Sequence, residues 1–264
     1  MTEKGNIHKM KVQLTSTVQY FMNLEGVSVP MNDLVGANIK LSFNNRINCV
    51  NCGKQTPKSF AQGFCYPCFA KSAENSDCIL RPELCRGHLG EGRDAIWEQE
   101  NHVQPHYVYL AQSSSTKVGV TRSTQVPTRW IDQGATLATI IAETPNRYLA
   151  GCIEVALKDL FTDKTDWRKM LTNVTTTEEL TPLINNAIES LPMDLKDYAS
   201  LENDIIEINY PVIEYPKKVT SIGFDKVPII EGKLNGIKGQ YLIFEEGRVI
   251  NIRTHSGYYV ELEY

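Results

Sequence analysis

The chain has 264 residues, with 27 Lys and Arg against 31 Asp and Glu, a formal charge of −4. Hydrophobic residues make up 42% and charged residues 22%, a balance that buries a core and excludes global disorder, collagen and coiled coil. No run approaches the roughly 18 apolar residues of a membrane helix, and no apolar signal core follows Met1-Thr-Glu-Lys-Gly5, so the expected setting is cytoplasmic with no membrane partner.

The patterning predicts an α+β chain in five segments. Residues 1–46 are β-rich: Met10 to Leu14 and Val18 to Asn23 are strand-like, and Ile39, Leu41 and Phe43 alternate with polar residues. The last segment, 215–264, has the same texture in Tyr241–Phe244, Val249–Ile252 and Tyr258–Leu262. Each is too small to bury a sheet face alone, which predicts one small β module built from both chain ends with everything else inserted between.

Segment 47–104 carries the metal chemistry. Of seven cysteines, six lie between Cys49 and Cys85, and without an export signal such a cluster points to metal ligands rather than disulfides. Cys49-Val-Asn-Cys52 and Cys65-Tyr-Pro-Cys68 are separated by twelve residues, the spacing of a zinc ribbon. Each pair turns two sulfurs toward one point, and a tetrahedral zinc ion takes four such soft ligands. Gly53 and Gly63 supply permissive residues for the turns. Four protein ligands leave no open position, so this zinc reads as structural; free thiols packed as small apolar residues would give no reason for the repeated spacing. Cys78, Cys85, His88 and His102 form a second candidate zinc site, with packed thiols and surface histidines as the alternative. One or two zinc ions are therefore expected.

In segment 105–172, His106–Ala111 reads as a strand, Gln112–Thr116 as a hairpin tip and Lys117–Thr121 as the partner strand. Pro127 and Gly134 bracket a short helix containing Arg129 and Trp130. Thr136–Thr144 returns as an apolar strand, and Asn146–Phe161 has Leu149, Ile153, Ala156, Leu157 and Leu160 at core-facing helical spacing. The order is β-β-α-β-α.

That order, with these residues, resembles the GIY-YIG nuclease superfamily. Its Gly-Ile-Tyr strand corresponds to Tyr107-Val108-Tyr109, and its Tyr-Ile-Gly strand to Lys117-Val118-Gly119 followed by Val120-Thr121. The arginine of its first helix corresponds to Arg129, and the alanine and glutamate of its next long helix to Ala150 and Glu154. The resemblance implies a divalent-metal-dependent nuclease acting on DNA or RNA phosphodiesters. Glu154 would supply a carboxylate to magnesium or manganese, Arg129 bidentate donors to the scissile phosphate, and Tyr109 a group that orients or deprotonates water. Lys117 would clamp phosphate, Gly119 would let backbone approach the cleft, and Thr121 and Arg122 would lie beside the nucleic acid.

Three positions depart from that pattern: Tyr107 replaces the first glycine, Lys117 the second tyrosine, and Gln133 occupies a place where a proton-transferring side chain assists in many members. Lysine at its ordinary pKa is a poor base, and glutamine is none. These departures favour a second reading, a non-catalytic nucleic-acid-binding protein with a degenerate core. A thiol-based redox role for the Cys-x-x-Cys pairs is a third reading, without a strand-to-helix context to support it. The layout as a whole also resembles a bacterial domain-of-unknown-function family with zinc knuckles.

Segment 173–214 is acidic: from Glu178 to Glu214 there are nine acidic residues and one basic, Lys196. Thr176 to Ser190 reads as a helix opened by a capping box with Glu179 and closed before Pro192. The run is either a solvated helix face or an arm that covers a basic groove. In the C-terminal module, Gly232, Gly236 and Gly239 alternate with Lys233 and Lys238. This is either a glycine-rich turn between strands or a nucleic-acid loop in which Lys233, Lys238, Arg248 and Arg253 track a backbone and Tyr241, Tyr258 or Tyr259 stack on bases.

Overall fold

The computed structural model describes residues 1–161, 166–200 and 202–264. In chain order the chain forms β1 (Thr2–Gln13), β2 (Gln19–Leu24), β3 (Val27–Pro30), β4 (Asn38–Ile47), α1 (Tyr66–Lys71), α2 (Ala95–His102), β5 (His106–Gln112), β6 (Thr116–Arg122) and α3 (Thr128–Asp132). It continues through β7 (Leu137–Thr144), α4 (Arg147–Leu157), α5 (Trp167–Leu171), α6 (Leu180–Glu189), β8 (Ile206–Glu207), β9 (Thr220–Ser221), β10 (Ile229–Lys238), β11 (Tyr241–Phe244), β12 (Arg248–Asn251) and β13 (Tyr258–Glu263). Among the described residues, no helix is long and apolar enough to cross a membrane. The class is α+β.

The chain divides into two compact units, the first made of Met1–Ala70, Ile131–Gly134 and Asn209–Tyr264, the second of Lys71–Trp130 and Ala135–Ile208. This differs from the five-segment division expected from composition. Segment 47–104 is split between the units: its first four cysteines belong to unit 1, whereas the turns that carry Cys78 and Cys85 belong to unit 2 and pack on α4.

Unit 1 holds a nine-stranded sheet in the order β3-β2-β1-β13-β4-β10-β11-β12-β9. Both chain ends meet in it: β1 pairs antiparallel with β13, Thr2 opposite Glu263, and β4 pairs with β13 and β10. Alternation explains the pairing. Ile7, Leu41, Ile230, Leu234, Val260 and Leu262 are all fully buried, while neighbours such as Lys11, Glu231 and Glu261 face water, so each strand has one face that only another strand's apolar face can cover.

Unit 2 holds a four-stranded sheet in the order β6-β5-β7-β8. Val108, Leu110, Val118 and Val120 cluster with Ile141, with Ala150, Ile153 and Leu157 of α4, and with Leu180, Ile184 and Ala187 of α6. The α4 start is capped, Asn146 Oδ1 accepting the Leu149 N–H at 3.0 Å. The α6 start lies four residues beyond the expected Thr176. No side chain caps it; the Thr176 hydroxyl instead engages Glu178 Oε2, which also accepts from the Thr116 hydroxyl at 3.2 Å. Segment 173–214 is thus no free arm. Leu180, Ile184, Ala187, Leu191 and Leu195 enter the core, while Glu179, Glu189, Asp194 and Asp197 form its exposed side, the solvated face of the two alternatives.

Candidate metal centres and nuclease-like face

The ligand atoms of Cys49, Cys52, Cys65 and Cys68 lie within 4.8 Å of one another, and the Cys52 and Cys65 sulfurs are 3.9 Å apart. Sulfurs bound to one tetrahedral zinc at Zn–S of about 2.3 Å stand about 3.8 Å apart, so the four can hold such an ion. Two tight turns aim them. Gly53 N–H donates to the Cys49 carbonyl and Val50 N–H to the Gly63 carbonyl, both at 2.9 Å. Gly53 has φ +71° and Gly63 φ +123°, and a side chain at Gly63 would strike Val50 at 2.5 Å. Asn51 Nδ2 donates to Cys68 Sγ at 3.3 Å, a contact that steadies a thiolate. The thiols share their protons unequally. Burial opposes ionisation of Cys49, but hydrogen bonds from the Cys65, Cys52 and Asn51 backbones lower it to about 6. Cys65, despite the Cys68 backbone hydrogen bond, is raised to about 11 by burial and by its neighbouring sulfurs.

The second cluster is smaller and wholly buried: Cys78, Cys85 and His102 offer atoms within 4.8 Å of one another. His102 Nδ1 stands 3.4 Å from Cys85 Sγ and 3.9 Å from Cys78 Sγ. Hydrogen bonding to Cys85, helped by His102 and Ser76 against burial, lowers Cys78 to about 4, while Cys85 is driven up by the Cys78 thiolate and by burial. His88, grouped with this site from the sequence, lies outside it. It is exposed, and its ring stacks on Tyr148 at 4.8 Å. The residue that sequence reading missed is Glu98, which is 2% exposed and directs Oε2 toward Cys78 Sγ at 3.9 Å and His102 Nδ1 at 3.8 Å. The signal was the spacing: Glu98 and His102 are four apart on α2 and share one helix face. Arg147, the first residue of α4, donates to the Cys78 and Ile79 carbonyls, both at 2.9 Å.

In unit 2, β5 and β6 pair in a register that sets Tyr107 opposite Thr121, Tyr109 opposite Gly119 and Ala111 opposite Lys117. Residues directly opposite in an antiparallel pair share a sheet face, so Tyr109, Lys117, Gly119 and Thr121 lie together on the face away from Val108, Leu110, Val118 and Val120. The Tyr109 ring occupies the space a Gly119 side chain would need, its hydroxyl 2.6 Å from that position. Trp130 of α3 meets it edge-on at 6.2 Å. Tyr109 is 1% and Lys117 9% exposed, so both side chains lie inside the fold. Gly119 admits the phenol rather than a visiting backbone. Arg129 and Glu154 are half-buried. Burial lowers the Arg147 guanidinium, and among the charges acting on it are Glu154, which raises it, and Arg129, which lowers it. Arg122 Nη1 donates to Asn101 Oδ1 at 2.5 Å.

Comparison with known families gives a match over residues 36–260, to the family described as a protein of unknown function, DUF2797. The chain belongs to the DUF2797 family. Both cysteine clusters and the whole β5-to-α4 segment of this DUF2797 protein fall inside the matched range. No protein of curated function and no solved structure matches the chain.

The C-terminal strands of this DUF2797 chain correct two expectations. Lys238 is no backbone-tracking lysine: it is 1% exposed, its Nζ lies over the rings of Tyr210 and Tyr215 at 5.2 and 5.1 Å, and burial lowers its amine to about 8. Tyr258 is no stacking platform, being 5% exposed with its hydroxyl donating to Asp225 Oδ1 at 2.9 Å. Lys233 does face water. Arg253 Nε donates to Gln62 Oε1 at 2.5 Å, and Tyr259 carries the Arg46 guanidinium 3.6 Å above its ring. The glycine-rich stretch is strand β10 plus the turn into β11, the structural of the two readings.

Proposed function

We propose that this protein is a zinc-scaffolded phosphodiesterase of GIY-YIG type that hydrolyses DNA or RNA with magnesium or manganese. The observation that carries the reading is the pairing of Tyr109 with Gly119 on one sheet face, flanked by the helix of Arg129. The charges of Arg129 and Glu154 both act on Arg147, so a guanidinium that would hold an anion and a carboxylate that would hold a metal share one electrostatic neighbourhood. Such a pair suits a pentavalent phosphate, which gathers negative charge and needs cations against it. The divalent ion would supply a nucleophilic hydroxide; Arg129 would hold the phosphate, and Tyr109 would orient the attacking water.

A specific observation favours the second reading, binding without cleavage: Tyr109 and Lys117 are buried, and a buried phenol reaches water only if its cover moves. One experiment decides between them. Labelled single-stranded, duplex and branched DNA and RNA are incubated with the protein and Mg²⁺ or Mn²⁺, binding being read from the same samples. Cleavage that falls by about 10²-fold or more in Glu154→Gln and in Arg129→Ala supports the enzyme. Binding without cleavage supports the degenerate core. Cleavage surviving in both variants refutes the assigned site.

A further inference from the structure

The second cluster brings together three of the four ligands of a tetrahedral site, and a closed site takes its fourth from a buried group on the metal side of the other three. An ion with Zn–S of about 2.3 Å and Zn–N or Zn–O of about 2.0–2.1 Å has ligand-to-ligand edges of about 3.3–3.8 Å. Four of the six edges are near that range: Cys85 Sγ to His102 Nδ1 at 3.4 Å, Cys78 Sγ to His102 Nδ1 at 3.9 Å, Cys78 Sγ to Glu98 Oε2 at 3.9 Å and His102 Nδ1 to Glu98 Oε2 at 3.8 Å. Cys78 and Cys85 lie within 4.8 Å of each other, while Glu98 stands beyond 4.8 Å from Cys85 Sγ, so a bound ion has to draw that last edge in. We propose that Glu98 is the fourth ligand, so that Cys78, Cys85, Glu98 and His102 bind one zinc ion and His88 takes no part.

The position of the carboxylate distinguishes a ligand from a supporting group. A carboxylate that merely steadies a ligating histidine bonds the ring nitrogen pointing away from the metal. Glu98 Oε2 instead faces Nδ1, the same nitrogen that faces both sulfurs. Its other oxygen is already used: Oε1 accepts the Arg93 N–H at 2.8 Å, which leaves Oε2 to bind in monodentate fashion. The surroundings are shaped for the carboxylate. Gly92 lies so close that any side chain there would strike it, and Arg93 anchors the loop by donating to the carbonyls of Ser72 and Asn75 at 3.2 and 3.1 Å. Charge fits as well. Two thiolates, one carboxylate and a neutral imidazole around a divalent ion leave a net −1, with the Arg147 guanidinium bonded to the adjacent carbonyls to offset it. A carboxylate is a harder, more readily displaced ligand for zinc than thiolate, so this ion exchanges faster than the one held by four cysteines.

The test is the zinc content of the full-length chain, measured by mass spectrometry after gel filtration with a weak chelator, for wild type, Glu98→Gln, His88→Ala and Cys85→Ser. Two ions per chain are expected in wild type and His88→Ala, and one in Glu98→Gln and Cys85→Ser. Two ions in Glu98→Gln, or one in His88→Ala, overturns the proposal. Cobalt loading separates a ligand from a supporting group: at saturating Co²⁺, Glu98→Gln is expected to shift the visible d–d bands of the second centre. Weakened affinity with unshifted bands would make Glu98 a supporting group and overturn the assignment. Neither readout depends on nuclease activity.

Discussion

Gly119 and Lys238 show how much a single side chain, or its absence, decides. A methyl group at Gly119 would sit 2.6 Å from the Tyr109 hydroxyl and 2.7 Å from its ring carbon Cζ. Because Trp130 flanks the ring, Gly119→Ala is expected to cost about 1–3 kcal/mol. A lower urea midpoint at constant m checks it; an unchanged midpoint would mean that the ring yields freely. Lys238 acts through charge. Its folded pKa of about 8 lies below the ordinary 10.5, so the unfolded chain binds more protons between about pH 8 and 10.5, and stability from this group rises with pH across that window. Below about pH 8 the cost of burying the ammonium is fully present. Lys238→Met is therefore expected to stabilise by about 2 kcal/mol at pH 7, once the lost contacts with Tyr210 and Tyr215 are subtracted. Denaturant curves at pH 7 and pH 10 check it: the gain has to shrink at the higher pH, and a pH-independent difference would refute the buried-charge account. At this scale, the first four cysteines were legible because two Cys-x-x-Cys pairs are a geometric statement. Lys238 was not, because lysine in a glycine-rich stretch reads as solvent-facing until Tyr210 and Tyr215, far away in sequence, are seen beneath it.

The elements owe their positions to a few close approaches, of which α4 gives the clearest case. Gly151 lies directly on the backbone of Pro82 and Glu83, leaving no room for even a methyl group. In an isolated helix Gly→Ala gains about 1 kcal/mol. Here the clash is with main chain, which cannot rotate away, and Gly151→Ala is expected to destabilise by about 2 kcal/mol net. Faster amide exchange in α4 checks the sign, and slower exchange would show that helix propensity wins. The strands β5, β6 and β7 were legible to within a residue or so because alternation and the turn between them agree. The α6 start was not, since Thr176 offered a capping pattern whose hydroxyl the structure spends on Glu178. The short 3-10 turns between Ala73 and Leu89 have no period to read, and with them went the path that carries Cys78 and Cys85 to α2 and away from His88.

Across the whole molecule, each unit assembles its core from its own strands. Ile7 is fully buried in the sheet of unit 1, and Val108, Ile141 and Ile153 in the core of unit 2. Ile7→Asp, an unpaired charge on a fully buried sheet face, is expected to abolish amide protection in β1, β4 and β13 while protection persists in β5, β7 and α4. Simultaneous loss in both sets would show that the two units unfold as one. The pairing of the chain ends was legible from the matching texture of the two terminal segments. The membership of Ile131–Gly134 in unit 1 was not, because four residues are too few to carry a pattern. The interleaving also sets an order of events on the ribosome. Strand β1 and strand β4 are made before unit 2, yet the strand that pairs with both, β13, is made after it. At about 5–20 residues per second, two strand edges wait on the order of ten seconds or more while all of unit 2 is synthesised and free to fold. Lys4, Lys9, Lys11 and Lys40 stand along those waiting strands, the residue type that discourages an open edge from pairing with another nascent chain.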